Sequence, residues 1–150
     1  MEFPIDFFLD EVREGFFIPA MMNRAGAAEL EFLVEIDRIC EKYKLRYFID
    51  YGNLLGAIRH KGFIPWDDDI DIMMLRKDYE IFAEVANTEL PKELVFRSLK
   101  EDNSNGELVS SVQHKEMLIS TDAIGKYHNY LYGAGVDIFP YDYLSEDTEK

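Results

Sequence analysis

Apolar positions recur at helical spacing between residues 27 and 44. At about 100° per residue, Phe32, Leu33, Ile36, Ile39, Cys40 and Tyr43 share one face, and Glu31, Glu35, Arg38 and Lys42 share the opposite one. That pattern predicts a long amphipathic helix. Residues 76–87 repeat it, with Tyr79, Phe82 and Ala86 inward and Lys77, Glu80 and Glu84 wet. Between these helices, residues 46–51 read as a strand by aromatic and β-branched content. Gly52 breaks that strand, and Asn53 is a suitable N-cap for a short helix over 54–60. Gly62 and Pro65 mark a loop, and residues 70–75 form the next strand. Residues 94–99, 108–114, 117–121 and 136–139 read as further strands, with a turn-rich polar loop over 101–106.

Residues 1–25, aromatic and interrupted by Pro4 and Pro19, read as an N-terminal arm; residues 26–150 read as one domain. The order helix, strand, helix, strand, helix, then several strands predicts an α/β (α+β) domain: a mixed β-sheet with flanking helices on one side.

Composition narrows the function classes. With 150 residues, 47% of them apolar, the chain can bury one substantial core. Its net charge of −14 argues against nucleic acid as a partner, since phosphate neutralisation needs clustered Lys and Arg. Most of that charge is explained as a solvated acidic surface. A single cysteine, Cys40, leaves no intrachain disulfide and no cysteine zinc cluster, which fits a reducing compartment. No segment approaches the roughly 18 apolar residues of a membrane span, and the start lacks the features of a signal peptide. The expected location is the cytoplasm or, peripherally, the inner membrane face.

The chemistry concentrates in Gly62-Phe-Ile-Pro-Trp-Asp-Asp-Asp-Ile-Asp-Ile72. Asp67, Asp68, Asp69 and Asp71 fall within five positions, at the start of an apolar strand. Two carboxylates about 5 Å apart repel by roughly 3 kcal/mol at an effective dielectric near 20. A divalent cation reverses that sign. Strand alternation puts Asp69 and Asp71 on one face and turns Ile70 into the core, so the pair can converge on a hard cation such as Mg2+ or Mn2+. An EF-hand reading fails, because position six would be Ile72 rather than glycine and position twelve Asp78 rather than glutamate. Two other elements gain weight from that pair. Tyr51-Gly52-Asn53-Leu54-Leu55-Gly56 has the form of a strand-to-helix turn that presents backbone N–H groups to phosphate. Val136-Asp137-Ile138 places one carboxylate among β-branched residues, where it requires a partner. Arg59 and Lys61 could hold a pyrophosphate, with an ion pair from Arg59 to Asp67 or Asp68 as the simpler alternative. Trp66 is either a packing plug for the loop or a stacking surface for a base or choline. The tyrosines near the end (127, 130, 132, 141 and 143) are packing residues or a cage for a quaternary ammonium group.

Glycine and a small polar residue on a strand–helix turn, then aspartate-apolar-aspartate, then a later lone aspartate, resemble the plan of the nucleotidyltransferase superfamily. More narrowly, Asp50-Tyr-Gly-Asn-Leu-Leu-Gly-Ala-Ile-Arg-His-Lys-Gly-Phe-Ile-Pro-Trp-Asp-Asp-Asp-Ile-Asp71, with Val136-Asp-Ile-Phe-Pro140 and Asp142, is similar to the signature of the LicD family. The resemblance implies a nucleotidyltransferase-like domain and a Mg2+-dependent transferase. Such an enzyme moves phosphocholine or a related phospho-alcohol from a CDP-alcohol donor to a sugar or lipid-linked glycan acceptor. It also implies Asp69, Asp71 and Asp137 as catalytic metal ligands, with Gly52 and Asn53 on the phosphate-facing turn. Asparagine at 53 departs from the serine or threonine more usual in the family. Family members continue past this point, so the resemblance further implies that these residues are an N-terminal portion. Two other readings stand beside it: transfer of a nucleoside monophosphate onto a small molecule or sugar, and a non-catalytic domain that binds nucleotide or a partner.

Overall fold

The computed structural model describes residues 2–98, 109–115 and 134–144. The strand expected over 117–121, the loop over 101–106 and Tyr127, Tyr130 and Tyr132 lie outside the described residues. The segment read as an arm contains a 3-10 turn, Ile5–Phe8, and a hairpin of β1 (Glu11–Arg13) and β2 (Phe16–Ile18). Glu14 and Gly15 both have positive φ, +53° and +84°, as a tight two-residue turn between right-twisted strands demands.

Helix α1 runs Ala20–Tyr43 and so starts inside that segment, earlier than the apolar periodicity indicates. Its first turns are lined by small residues: Ala25, Gly26, Ala27 and Ala28 are buried. A Cβ at Gly26 would lie 3.2 Å from the Phe63 ring. Small side chains bury their helix by close approach and leave no bulky stripe to read. The arm helps to fix this end, because Asp10 Oδ1 accepts from the Ala20 N–H at 2.7 Å. At the other end Tyr43 is more exposed than its place on the apolar face predicts, and its hydroxyl donates to Glu89 at 2.7 Å.

The chain continues through β3 (Tyr47–Ile49), α2 (Tyr51–Arg59), β4 (Ile70–Leu75), α3 (Arg76–Glu89), β5 (Leu94–Arg97), β6 (Ser110–His114) and β7 (Gly135–Tyr141). These five strands form a sheet in the order β3-β4-β7-β6-β5. Strands β4 and β7 pair in parallel; the other neighbours are antiparallel. This is the mixed α/β architecture expected. Helices α1 and α3 pack on the sheet and on each other. Ile70, Ile72 and Met74 of β4, Val136 and Ile138 of β7, and Val112 of β6 meet Phe32, Ile36, Ile39 and Phe82 in the core. Burial of those alternate positions is what aims the intervening residues at the opposite face.

Candidate active site

Register brings the aspartates together. In the parallel pair β4–β7, Asp71 stands beside Asp137. Across the next ladder Asp137 faces Ser111, and Ser111 faces Arg97. A row Asp71–Asp137–Ser111–Arg97 therefore crosses four strands on the face away from the core. Ile70 and Ile72, and Val136 and Ile138, flank the two aspartates and are buried. Pairing of two carboxylates separated so widely in sequence is the feature that no local pattern could establish.

The turn before the acidic loop differs from the sequence expectation. Helix α2 starts at Tyr51, so Gly52 lies in its first turn instead of ending a strand, and Asp50 is the N-cap residue in place of Asn53. The reason is that β3 ends at Ile49 and the Asp50 carbonyl already accepts the first helical bond, from Leu54 N–H at 3.1 Å. Asp50 also ties three elements together. Its N–H donates to the Asp71 carbonyl at 3.0 Å, its Oδ1 accepts from Tyr51 N–H, and its Oδ2 accepts from the Tyr141 hydroxyl at 2.5 Å. Tyr51 takes a positive φ of 42° and stacks 5.0 Å from the Phe139 ring.

Freed from capping, Asn53 bridges to the acidic strand. Its Nδ2 donates to the Asp69 carbonyl at 2.9 Å and its Oδ1 accepts from Asp71 N–H at 2.5 Å. One side chain thus fixes the backbone on both sides of Ile70. Gly52 allows the loop to close: a Cβ there would lie 2.0 Å from Asp67 Oδ2, so the carboxylate occupies the space a side chain would fill.

The electrostatics are those of crowded acids. Burial raises the Asp71 carboxyl to about 6, reinforced by Asp69, Asp137, Asp67 and Asp50. Asp67 is also raised, first by burial, then by repulsion from Asp69 and a hydrogen bond with it. Beneath the loop lies a residue that the sequence reading passed over. Glu29 of α1 is 3% exposed, and burial, with Asp69, Asp68 and Asp137 nearby, pushes its carboxyl up to about 9. A readable signal existed: Glu29 shares a helical stripe with Phe32 and Ile36, which puts a charge on the buried face. Asp50 and Arg97 were likewise given no role. Asp50 carried the signal of a capping residue at a strand end, whereas Arg97 is placed by register alone.

Arg59 and Trp66 come together, whereas Lys61 lines a cavity of its own. Arg59 donates to His60 Nε2 at 2.8 Å and lies over Trp66 with 5.9 Å to the ring centroid; it forms no ion pair with Asp67 or Asp68. Trp66 stacks on Phe16 of the hairpin at 4.4 Å and remains 53% exposed. His60 is gripped by Glu14 of the same hairpin at 2.9 Å. Lys61 donates to the Ile58 carbonyl at 2.9 Å, on the wall of an apolar cavity of about 530 Å³ that also includes Leu30, Leu33, Asn53 and Ile70.

Among the described residues no three Asp, Glu, His or Cys side chains are placed to grip an ion unaided. The donor set nevertheless suits Mg2+, a hard cation normally held by one or two carboxylates together with waters and substrate phosphates. Among the described residues no helix is long and apolar enough to cross a membrane.

Residues 44–148, most of the chain, match the family model described as LicD/FKTN/FKRP, nucleotidyltransferase domain. The chain belongs to the LicD family. The lipopolysaccharide cholinephosphotransferase LicD of Haemophilus influenzae is 54% identical over 56 residues, 37% of this chain and 21% of that protein. An uncharacterised protein of Rickettsia typhi is 36% identical over 55 residues, 37% of this chain and 18% of its own length. The ribitol 5-phosphate transferase FKRP of Mus musculus is 35% identical over 65 residues, 43% of this chain and 13% of its own length. The matched segments thus span about a fifth or less of the length of these relatives.

Proposed function

We propose that this chain carries the donor-binding and reaction centre of a divalent-cation-dependent transferase. It would move phosphocholine or a related phospho-alcohol from a CDP-alcohol to a sugar hydroxyl of a cell-surface or lipid-linked glycan, at the cytoplasmic face of the membrane. The observation that carries this reading is the side-by-side placement of Asp71 and Asp137 on one sheet face, with Asp69 just before the start of β4. Two relatives, a cholinephosphotransferase and a ribitol 5-phosphate transferase, support the choice of phospho-alcohol.

Asp69, Asp71 and Asp137 would hold Mg2+ or Mn2+, which when bound would neutralise the donor diphosphate and the charge that develops on departing CMP. The protein's own part is positioning and proton transfer. Asn53 and Gly52 fix the loop so that the carboxylates keep one orientation. Arg97, in the same cross-strand row, lies where it can face the phosphates. The sugar oxygen attacks the phosphorus that bears the alcohol, a new P–O bond forms and the bond to CMP breaks. Asp137 takes the hydroxyl proton.

The family description as a nucleotidyltransferase domain favours a second reading, transfer of a nucleoside monophosphate. Product analysis separates the two. With CDP-choline, CDP-ribitol or CDP-glycerol and a sugar acceptor, the first reading expects CMP; with CTP, the second expects pyrophosphate. Replacing both Asp69 and Asp71 by asparagine should lower turnover by at least about 100-fold in either case while the fold is kept. Unchanged turnover in that double variant would reject the site.

A further inference from the structure

Helix α2 turns its apolar side outward. Its only buried residue is Gly56, and Tyr51, Leu54, Leu55 and Ile58 are 43% to 66% exposed. At about 100° per residue these four span one side of the helix. The acidic loop packs against the other side, where Gly52 meets Asp67 and Gly56 meets Gly62 and Ile64. Arg59 ends the helix and Lys61 follows it, both exposed, and Arg59 lies over the exposed Trp66 ring. Beside the outward side, Ala57 and Lys61 line the apolar cavity of about 530 Å³, so the apolar surface continues from the helix into a recess.

A helix that leaves its apolar stripe in water marks a contact surface. Charge decides what it contacts. Acids make up 30 of 150 residues, one in five on average, yet residues 51–66 contain none. That is the longest such run in the chain, and it includes Arg59, His60 and Lys61. Ile5, Leu9, Val12 and Phe17 of the N-terminal segment are also exposed, but in the opposite setting. Residues 2–18 hold five acids, Glu2, Asp6, Asp10, Glu11 and Glu14, against one cation, Arg13. An anionic surface would repel that patch and attract the one on α2. Apolar side chains bordered by Arg, Lys and Trp are the composition of a helix that lies in a lipid interface.

We propose that the outward side of α2, with Arg59, Lys61 and Trp66, docks on an anionic lipid surface. Leu54, Leu55 and Ile58 enter the headgroup region, and the two cations meet lipid phosphates. The acidic loop, across the helix, stays in water. The surface does not depend on the reading of the aspartates. Its use does rest on the transferase reading, since docking would hold the site at a bilayer that carries a lipid-linked acceptor.

The test is co-sedimentation of the whole chain with phosphatidylcholine vesicles, with and without phosphatidylglycerol, in EDTA, so that neither metal nor turnover enters the readout. Trp66, the sole tryptophan, reports insertion through a blue shift of its emission and quenching by brominated lipid. Binding should require phosphatidylglycerol and weaken with salt. Leu55→Gln/Ile58→Gln should melt like wild type and bind at least about tenfold more weakly. Arg59→Gln and Lys61→Gln should each cost about fivefold. Val12→Gln/Phe17→Gln, in the acidic patch, should bind like wild type. The proposal is overturned by a wild-type chain that stays in the supernatant, by equal binding without phosphatidylglycerol, or by a Leu55→Gln/Ile58→Gln chain that binds as well as wild type. Loss confined to the Val12→Gln/Phe17→Gln chain would overturn it too, by moving the contact to the hairpin. Self-association that Leu55→Gln/Ile58→Gln abolishes, without vesicle binding, would give the surface to a second copy and overturn it likewise. The transferase reading stands or falls separately, on product analysis.

Discussion

Asn53 shows how much of the site's order rests on one side chain. Its amide satisfies the carbonyl of Asp69 and the N–H of Asp71, partly shielded from water. Asn53→Ala should therefore cost about 1–3 kcal/mol, the usual penalty for stranding such groups, read as a lower urea midpoint with unchanged slope. A shift within error would mean that water replaces the amide without loss. The same residue marks the limit of local reading. Asn53 and Asp50 are both good capping types, and the choice between them depended on where β3 ends, which propensity does not fix. The positions of Asp71 and Asp137 on their strands were legible because each is a charge set among apolar strand residues, whereas Asp69 lies just before β4. Glu29 was missed although it shares a stripe with Phe32 and Ile36, because the buried residues just before it are alanines and glycine, which outline that face only weakly.

At the level of elements, the core faces of α1 and α3 and strands β4 and β7 follow the sequence pattern closely, since large apolar side chains recur there at the right period. The short elements do not. The β1–β2 hairpin is too brief to show alternation, and the first turns of α1 pack through small residues. The end of α1 offers a direct check. Lys44 caps it in the left-handed region at φ 57°, with its N–H bonded to the Cys40 and Glu41 carbonyls. Glycine adopts that conformation without steric penalty, so Lys44→Gly should raise stability by roughly 1 kcal/mol, visible as a higher melting temperature. A fall would show that the Lys44 side chain makes contacts worth more than its backbone strain. Between the helices, Glu89 gathers Lys42 at 2.7 Å, Tyr43 and Arg38, an exposed network whose contribution salt will weaken.

For the whole molecule, the raised acids set a pH dependence. Asp71 and Glu29 both hold their protons more tightly in the folded chain than in the unfolded one. Their stabilising contribution is complete below the ordinary carboxylate range, near pH 4. It is lost as pH rises through about 6 for Asp71 and about 9 for Glu29. In EDTA the chain should melt at a higher temperature near pH 5 than near pH 8; a profile that rises over that interval would contradict these assignments. The parallel β4–β7 pairing has a consequence of another kind. Asp71 and Asp137 are 66 residues apart along the chain, as are Arg76 and Asp142, which pair just beyond the ends of the same two strands with bonds of 2.8 and 2.6 Å. Closing so long a loop is among the slow steps of folding, because its entropy must be met before any contact rewards it. The half of the site on α2 and β4 can form early from neighbouring segments, but the half on β7 arrives only with that closure. A newly made chain would therefore acquire its acidic row as one of its last acts of folding, and the competent centre would itself be the signal that the sheet is complete.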